Sequence, residues 1–183
     1  MQKTNYFEIL ENLASLCERA VFLASGSSRQ LLLKAQREIS GLQSKSTEKI
    51  CDLELSLFTD FLPPLERRSI AEAAHSMGRV IEKSSQVIFQ KIQRPSYDKR
   101  QRDTDVCVKL AETLKESFIL LKKIKKPNQT PPVKDFRKIL NDARENARSS
   151  QKRQSASLLS ISELREELAD CFDALIEIML CNI

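Results

Sequence analysis

Leu57-Phe58-Thr59-Asp60-Phe61-Leu62-Pro63-Pro64-Leu65-Glu66-Arg67-Arg68-Ser69-Ile70 joins two long amphipathic stretches through a double-proline corner. Proline has no backbone N–H and disfavours helix at the residue before it, so Pro63 and Pro64 stop the first stretch. Pro64 can then open the next helix, where a missing donor costs nothing. Outward from this corner, apolar residues recur at three- and four-residue steps in both directions, and no alternating strand pattern competes. The chain therefore reads as all-α.

Upstream of the corner, a very long helix is expected from about Ser28 to Phe61, with Leu32, Ala35, Ile39, Leu42, Ile50, Leu53, Leu57 and Phe61 on one face. A polar interval from Gln43 to Lys49 interrupts that face, and Gly41 is placed to bend it. A shorter helix precedes it, about Thr4 to Leu23, closed by Gly26 in the left-handed cap position. Downstream, Ile70, Ala73, Met77, Ser84 and Ile88 mark a helix from about Leu65 to Gln93, which Arg94-Pro95-Ser96 ends. Three more follow: Thr104–Lys125 behind an Asp103 N-cap, Pro132–Arg153 behind Thr130, and Ser160–Cys181 opened by a Ser160-x-x-Glu163 capping box. The stripe of the fifth fades after Ala147, so its end should fray. The expected architecture is a six-helix antiparallel bundle, with residues 1–94 and 95–183 forming two three-helix units of one domain.

Composition agrees with a bundle. The 183 residues are 41% hydrophobic and 30% charged, with only 3 Gly and no Trp, so the core must be Leu, Ile, Ala and a few Phe. No apolar run is long enough to span a bilayer, and the N-terminus lacks the apolar core of a signal peptide. The expected location is cytoplasmic. The five cysteines, Cys17, Cys51, Cys107, Cys171 and Cys181, include no Cys-x-x-Cys pair, which argues for reduced, mostly buried thiols rather than a zinc or disulfide framework. Net charge is +5, but residues 91–153 hold 18 Lys/Arg against 8 Asp/Glu. Such a strip could meet an anionic partner.

The corner Phe61-Leu62-Pro63-Pro64-Leu65-Glu66-Arg67-Arg68-Ser69-Ile70 resembles the Phe-x-Thr-Pro-x-x-Arg-x-x-Ile pattern of PhoU-like phosphate-transport regulators, in the branch found beside inorganic phosphate transporters. Pro63 replaces the family's threonine cap. Leu164-Arg165-Glu166-Glu167-Leu168-Ala169-Asp170-Cys171-Phe172-Asp173 is similar to the family's closing Glu-x-x-x-Asp helix. The resemblance implies a non-enzymatic regulatory or adaptor protein that docks on a phosphate transporter or sensor, with peripheral membrane contact made through that partner. It also implies carboxylate pairs, four residues apart on one helix face, that gather around hard metal ions.

Those pairs are depleted here. Against the family pattern, the expected acids fall on Gln43 and Thr47, on Gly78 and Glu82, on Asp142 and Asn146, and on Glu166 and Asp170. The implied metal set is thus Glu82, Asp142, Glu166 and Asp170, a degenerate site holding at most one weakly bound divalent metal or iron ion. The alternative is that all four are ordinary solvated helix carboxylates, and the missing partners favour it. No other cofactor is expected.

His75, the only histidine, has no sequence partner for catalysis or ligation and reads as a boundary residue. With so few glycines a phosphate-cradling loop is excluded. Arg137, Lys138, Arg144, Arg148, Lys152 and Arg153, with Lys99, Arg100 and Arg102 before them, could contact nucleic acid through phosphates. Interspersed acids and absent aromatics weigh against this, in favour of a solvated face. A helical interaction scaffold unrelated to phosphate, including a homo-oligomer joined through helix faces, is the competing reading.

Overall fold

The computed structural model describes residues 5–59, 66–93, 101–123, 130–149 and 159–180. They form six helices: α1 (Tyr6–Ala24), α2 (Arg29–Thr59), α3 (Arg67–Gln93), α4 (Gln101–Lys123), α5 (Thr130–Arg148) and α6 (Leu159–Leu180). Among the described residues there is no strand. The double-proline corner itself lies outside them.

Cross-helix contacts fix the directions. Tyr6 Oη donates to the Ser56 carbonyl and Arg19 pairs with Glu38, so α1 and α2 are antiparallel. Glu54 meets His75 across α2 and α3. Lys83–Glu163 and Arg79–Glu167 run in opposite order along α3 and α6. Asp173 takes both Arg144 and Arg148 across α5 and α6. Helices α1, α3, α4 and α6 make the centre, through the α3–α6 and α1–α4 seams; α2 lies on α1 and α3, and α5 on α6 and α4. One buried cluster draws on all six.

The apolar stripes account for that core. On α6, Ile161, Leu164, Leu168, Phe172, Leu175 and Met179 are all buried, and on α5 so are Phe136, Leu140, Ala143 and Ala147. Helix α5 stops at Arg148, short of Arg153, one residue after its stripe runs out. A helix without an apolar face has little to hold it together in water.

Several ends differ from expectation. Asn5 caps α1, which begins at Tyr6: its Oδ1 accepts from the Glu8 N–H, and its Nδ2 donates to the Glu8 carboxylate. Gly26 is not left-handed, and no described residue has positive φ. Helix α4 begins at Gln101, which puts Asp103 inside the first turn, where a carboxylate favours the positive helix end. Glu163 reaches across to Lys83 instead of back to its own N-terminus, while the Ser160 side chain lies outside the described residues.

Two buried cations close helix ends. Lys91 Nζ donates to the carbonyls of Ala24 and Gly26 at 2.8 and 3.3 Å, at the end of α1. Arg165 donates through Nε to the Ala147 carbonyl at 3.1 Å and through Nη2 to that of Asn146, at the end of α5. The carbonyls of Ala24, Asn146 and Ala147 belong to last helical turns, which leave them without a partner in their own helix, and that of Gly26 lies just beyond α1.

Of the described cysteines, Cys17, Cys107 and Cys171 are buried and Cys51 is exposed; all four are free. The Cys17 thiol donates to the Met77 carbonyl. Among the described residues no helix is long and apolar enough to cross a membrane.

Candidate functional site

The polar interval of α2 faces α3. Gln43, Ser46 and Thr47 from α2 and Gly78, Arg79 and Glu82 from α3 border an open cleft of about 480 Å³. Ile50 and Ile81 supply apolar lining, and His75 stands at one end.

Gly78 sets the spacing. A Cβ built on it would lie 2.9 Å from Ile50 Cδ1 and 3.9 Å from Ser46 Oγ. A side chain there would push the tip of Ile50 aside, and its Cβ would stand in ordinary contact with the Ser46 hydroxyl. Here glycine serves close approach, not backbone conformation.

Ser46 is 3% exposed, and its Oγ is the single buried side-chain polar atom without a hydrogen-bond partner among the described residues. The contrast with its neighbours is direct. Buried Ser76, Ser84 and Ser117 each donate to the carbonyl four residues back, at 2.9, 2.8 and 2.6 Å. That is the ordinary resolution for a helical serine. Ser46 does not make this bond. An unmade hydrogen bond at a buried hydroxyl costs about 1–3 kcal/mol.

Arg79 is held from behind. Its Nε donates to Glu167 at 2.6 Å, its Nη2 to Ser76 Oγ at 3.1 Å, and Asp170 stands 3.9 Å from the same Nη2. The guanidinium is thus oriented by α6 and α3, while Arg79 also borders the cleft. Partial burial works against its charge, but the hydrogen bond to Glu167 and the surrounding carboxylates outweigh it and raise its pKa. Glu82, one turn on, is exposed and accepts only a long 3.4 Å bond from Gln86. His75 Nε2 lies 2.9 Å from Glu54, both about half exposed. The histidine is therefore a boundary residue with a carboxylate neighbour.

The structure does not assemble Glu82, Asp142, Glu166 and Asp170. Glu82 lies at the α2–α3 cleft, whereas Asp142 is exposed on α5, whose neighbours are α6 and α4. Glu166 points to solvent, and the carboxylate that faces α3 is Glu167, absent from the sequence-derived set. Asp170 joins Glu167 beside Arg79; burial lifts its carboxyl above the ordinary range, Glu167 adds repulsion, and Arg79 offsets only part of it. Among the described residues no three His, Cys, Asp or Glu side chains come together as a metal site. The signal missed was the Glu163-x-x-x-Glu167 pair, matched in spacing by Arg79 and Lys83.

The basic strip is partly consumed internally. Arg144 and Arg148 both bind Asp173, at 3.2 and 2.5 Å, and Arg137 and Lys138 stay exposed. Lys99, Arg100, Lys152 and Arg153 lie outside the described residues.

Two of the expected acidic pairs, Gln43/Thr47 and Gly78/Glu82, do converge: all four positions border the cleft. Only Glu82 among them carries a carboxylate. No protein-family model matches the chain, and no curated protein matches it.

Proposed function

We propose that this chain is a non-enzymatic regulatory or adaptor protein, built of two three-helix units and divergent from the PhoU-like regulators, that acts in phosphate transport by docking on a transporter or sensor. The observation that supports this reading is the convergence on one cleft of Gln43, Thr47, Gly78 and Glu82. The resemblance assigns acidic pairs to these positions on two separate helices. A chance register would have no reason to bring both pairs to the same cleft.

With one carboxylate in place of four, the cleft is a poor host for hard cations, which need several oxygen anions around them. The reading is thus of a scaffold kept after its metal chemistry was lost. Docking needs apolar surface, and α2 leaves Leu55 and Phe58 65% and 86% exposed on its outer side.

The test is phosphate uptake in the native cells with and without the chain, alongside co-purification of the phosphate permease. Altered uptake on loss, restored by re-expression, supports the proposal. Unchanged uptake and no permease in the eluate would reduce the reading to a helical scaffold with no link to phosphate.

A further inference from the structure

We infer that the outer face of α2 binds a second copy of this chain, the two α2 helices lying antiparallel about a two-fold axis at Ser44. The phosphate reading does not enter, since association is expected of the purified chain alone.

Helix α2 packs on α1 and α3, which leaves its opposite side to solvent. Along that side exposed residues follow at three- and four-residue steps, among them Leu33, Arg37, Ser44, Glu48, Leu55 and Phe58. Three of these are large apolar side chains left outside the core. The stripe is complementary to itself. Leu33 and Leu55 each lie eleven residues from Ser44. A second α2 laid antiparallel about that residue therefore sets Leu33 against the copy's Leu55 and beside its Phe58. The same register brings Lys34 and Arg37 to the turns that carry the copy's Glu48 and Asp52. Two-fold symmetry repeats both sets at the other end.

Charge selects this occupant. Helix α2 starts basic, with Arg29, Lys34 and Arg37 and no acid before Glu38. Further on it carries Glu48, Asp52 and Glu54 against Lys45 and Lys49. Glu38 and Glu54 are engaged by Arg19 and His75 at the seams with α1 and α3. Lys34, Arg37, Glu48 and Asp52, on the outer face, form no ion pair with any described residue. A parallel alignment would set like charges together, whereas the antiparallel one pairs all four, twice over. An anionic membrane or nucleic acid suits Lys34 and Arg37 but meets Glu48 and Asp52 next to Leu55. At the centre, Ser40 and Ser44 are short, and their hydroxyls already donate to the carbonyls four residues back. Covering them strands no donor.

Sedimentation velocity of the full chain at increasing concentration tests the assignment. A monomer–dimer equilibrium is expected, with a Kd of about 1–100 µM, because one helix pair makes a small interface. Two double variants identify the face. Lys34→Glu with Arg37→Glu reverses its basic end, and Glu48→Lys with Asp52→Lys reverses its acidic end. All four positions are exposed, so both variants keep the fold, which circular dichroism verifies. Each alone should dimerise at least about tenfold more weakly, while an equimolar mixture should regain the parent's affinity as a heterodimer. Cys51 is exposed on the same stripe, so its alkylation should slow as the chain is concentrated and proceed through the monomer in exchange. A chain that stays monomeric to about 1 mM would overturn the proposal. So would a dimer indifferent to both variants, a mixture no tighter than either variant alone, or Cys51 alkylation independent of concentration. Phosphate uptake in cells is a separate readout, so either proposal can fail without the other.

Discussion

The Lys91 ammonium sits 2.8 Å from the Ala24 carbonyl oxygen, so a buried lysine of α3 closes the C-terminal end of α1. The last turn of α1 contains no basic residue of its own. A cation at this end complements the helix dipole and satisfies carbonyls that the helix cannot. Lys91→Met keeps the apolar stem but leaves the Ala24 and Gly26 carbonyls unpartnered. It should lower stability by about 2 kcal/mol, read as a lower urea midpoint at unchanged m. Arg165→Met at the end of α5 should cost a similar amount. An unchanged midpoint for both variants would mean water replaces the cations freely.

Helix glycines offer a second measurement. Gly41 has open space where a Cβ would stand, whereas at Gly78 the added atom meets the tip of Ile50 at 2.9 Å. Gly41→Ala should therefore gain about 0.5–1 kcal/mol, from helix propensity and a less flexible unfolded chain. Gly78→Ala gains the same propensity but must displace Ile50, so its net gain should be smaller. Thermal unfolding of the two variants side by side gives the order; a larger gain for Gly78→Ala would contradict the packing.

These two sets of residues also mark what a sequence can disclose. The stripes that build α5 and α6 are local, spaced by the helix period, and were readable residue by residue down to the weakening after Ala147. The break in the α2 stripe between Gln43 and Lys49 was readable too, and it does border the cleft. That Ser46 is sunk within it was not, because its burial comes from the packing of α2 on α3, which no local spacing encodes. Lys91 and Arg165 resemble any cation on a charged helix until their partners, 67 and 18 residues distant, are known. The choice of Glu167 over Glu166 to face Arg79 depends on the rotation of α6 about its axis, which the seam with α3 sets and no local spacing encodes.

Asp170 yields a pH-dependent prediction. Burial and the nearby Glu167 raise its carboxyl above the ordinary value of 3.8. An acid whose pKa is higher folded than unfolded binds its proton more tightly in the native state. Its ionised form therefore weighs against folding at neutral pH, and that penalty disappears as pH falls through the raised value to below the unfolded one. Asp170→Asn should accordingly be modestly more stable than the parent at pH 7 and indistinguishable from it below about pH 3.5. Urea midpoints at both pH values decide it. A stabilisation that persists at the acidic end would assign the effect to packing rather than charge.

Thiol chemistry separates the surface of α2 from the core. Burial pushes the Cys107 thiol up to about 12 and raises Cys17 and Cys171 well above their ordinary range. The nucleophile in alkylation is the thiolate, so these three are protected twice, by lack of access and by lack of ionisation. Cys51 is exposed on α2, close in sequence to Leu55 and Phe58. Iodoacetamide at pH 8 should modify Cys51 in the native protein within minutes, while Cys17, Cys107 and Cys171 react only as fast as the bundle opens. Peptide mass spectrometry over a time course distinguishes the sites. Rapid labelling of Cys17 or Cys171 would place the central α1–α3–α6 packing in exchange with an open state. A Cys51 protected in cell extract but reactive in the purified chain would locate a partner over the outer face of α2.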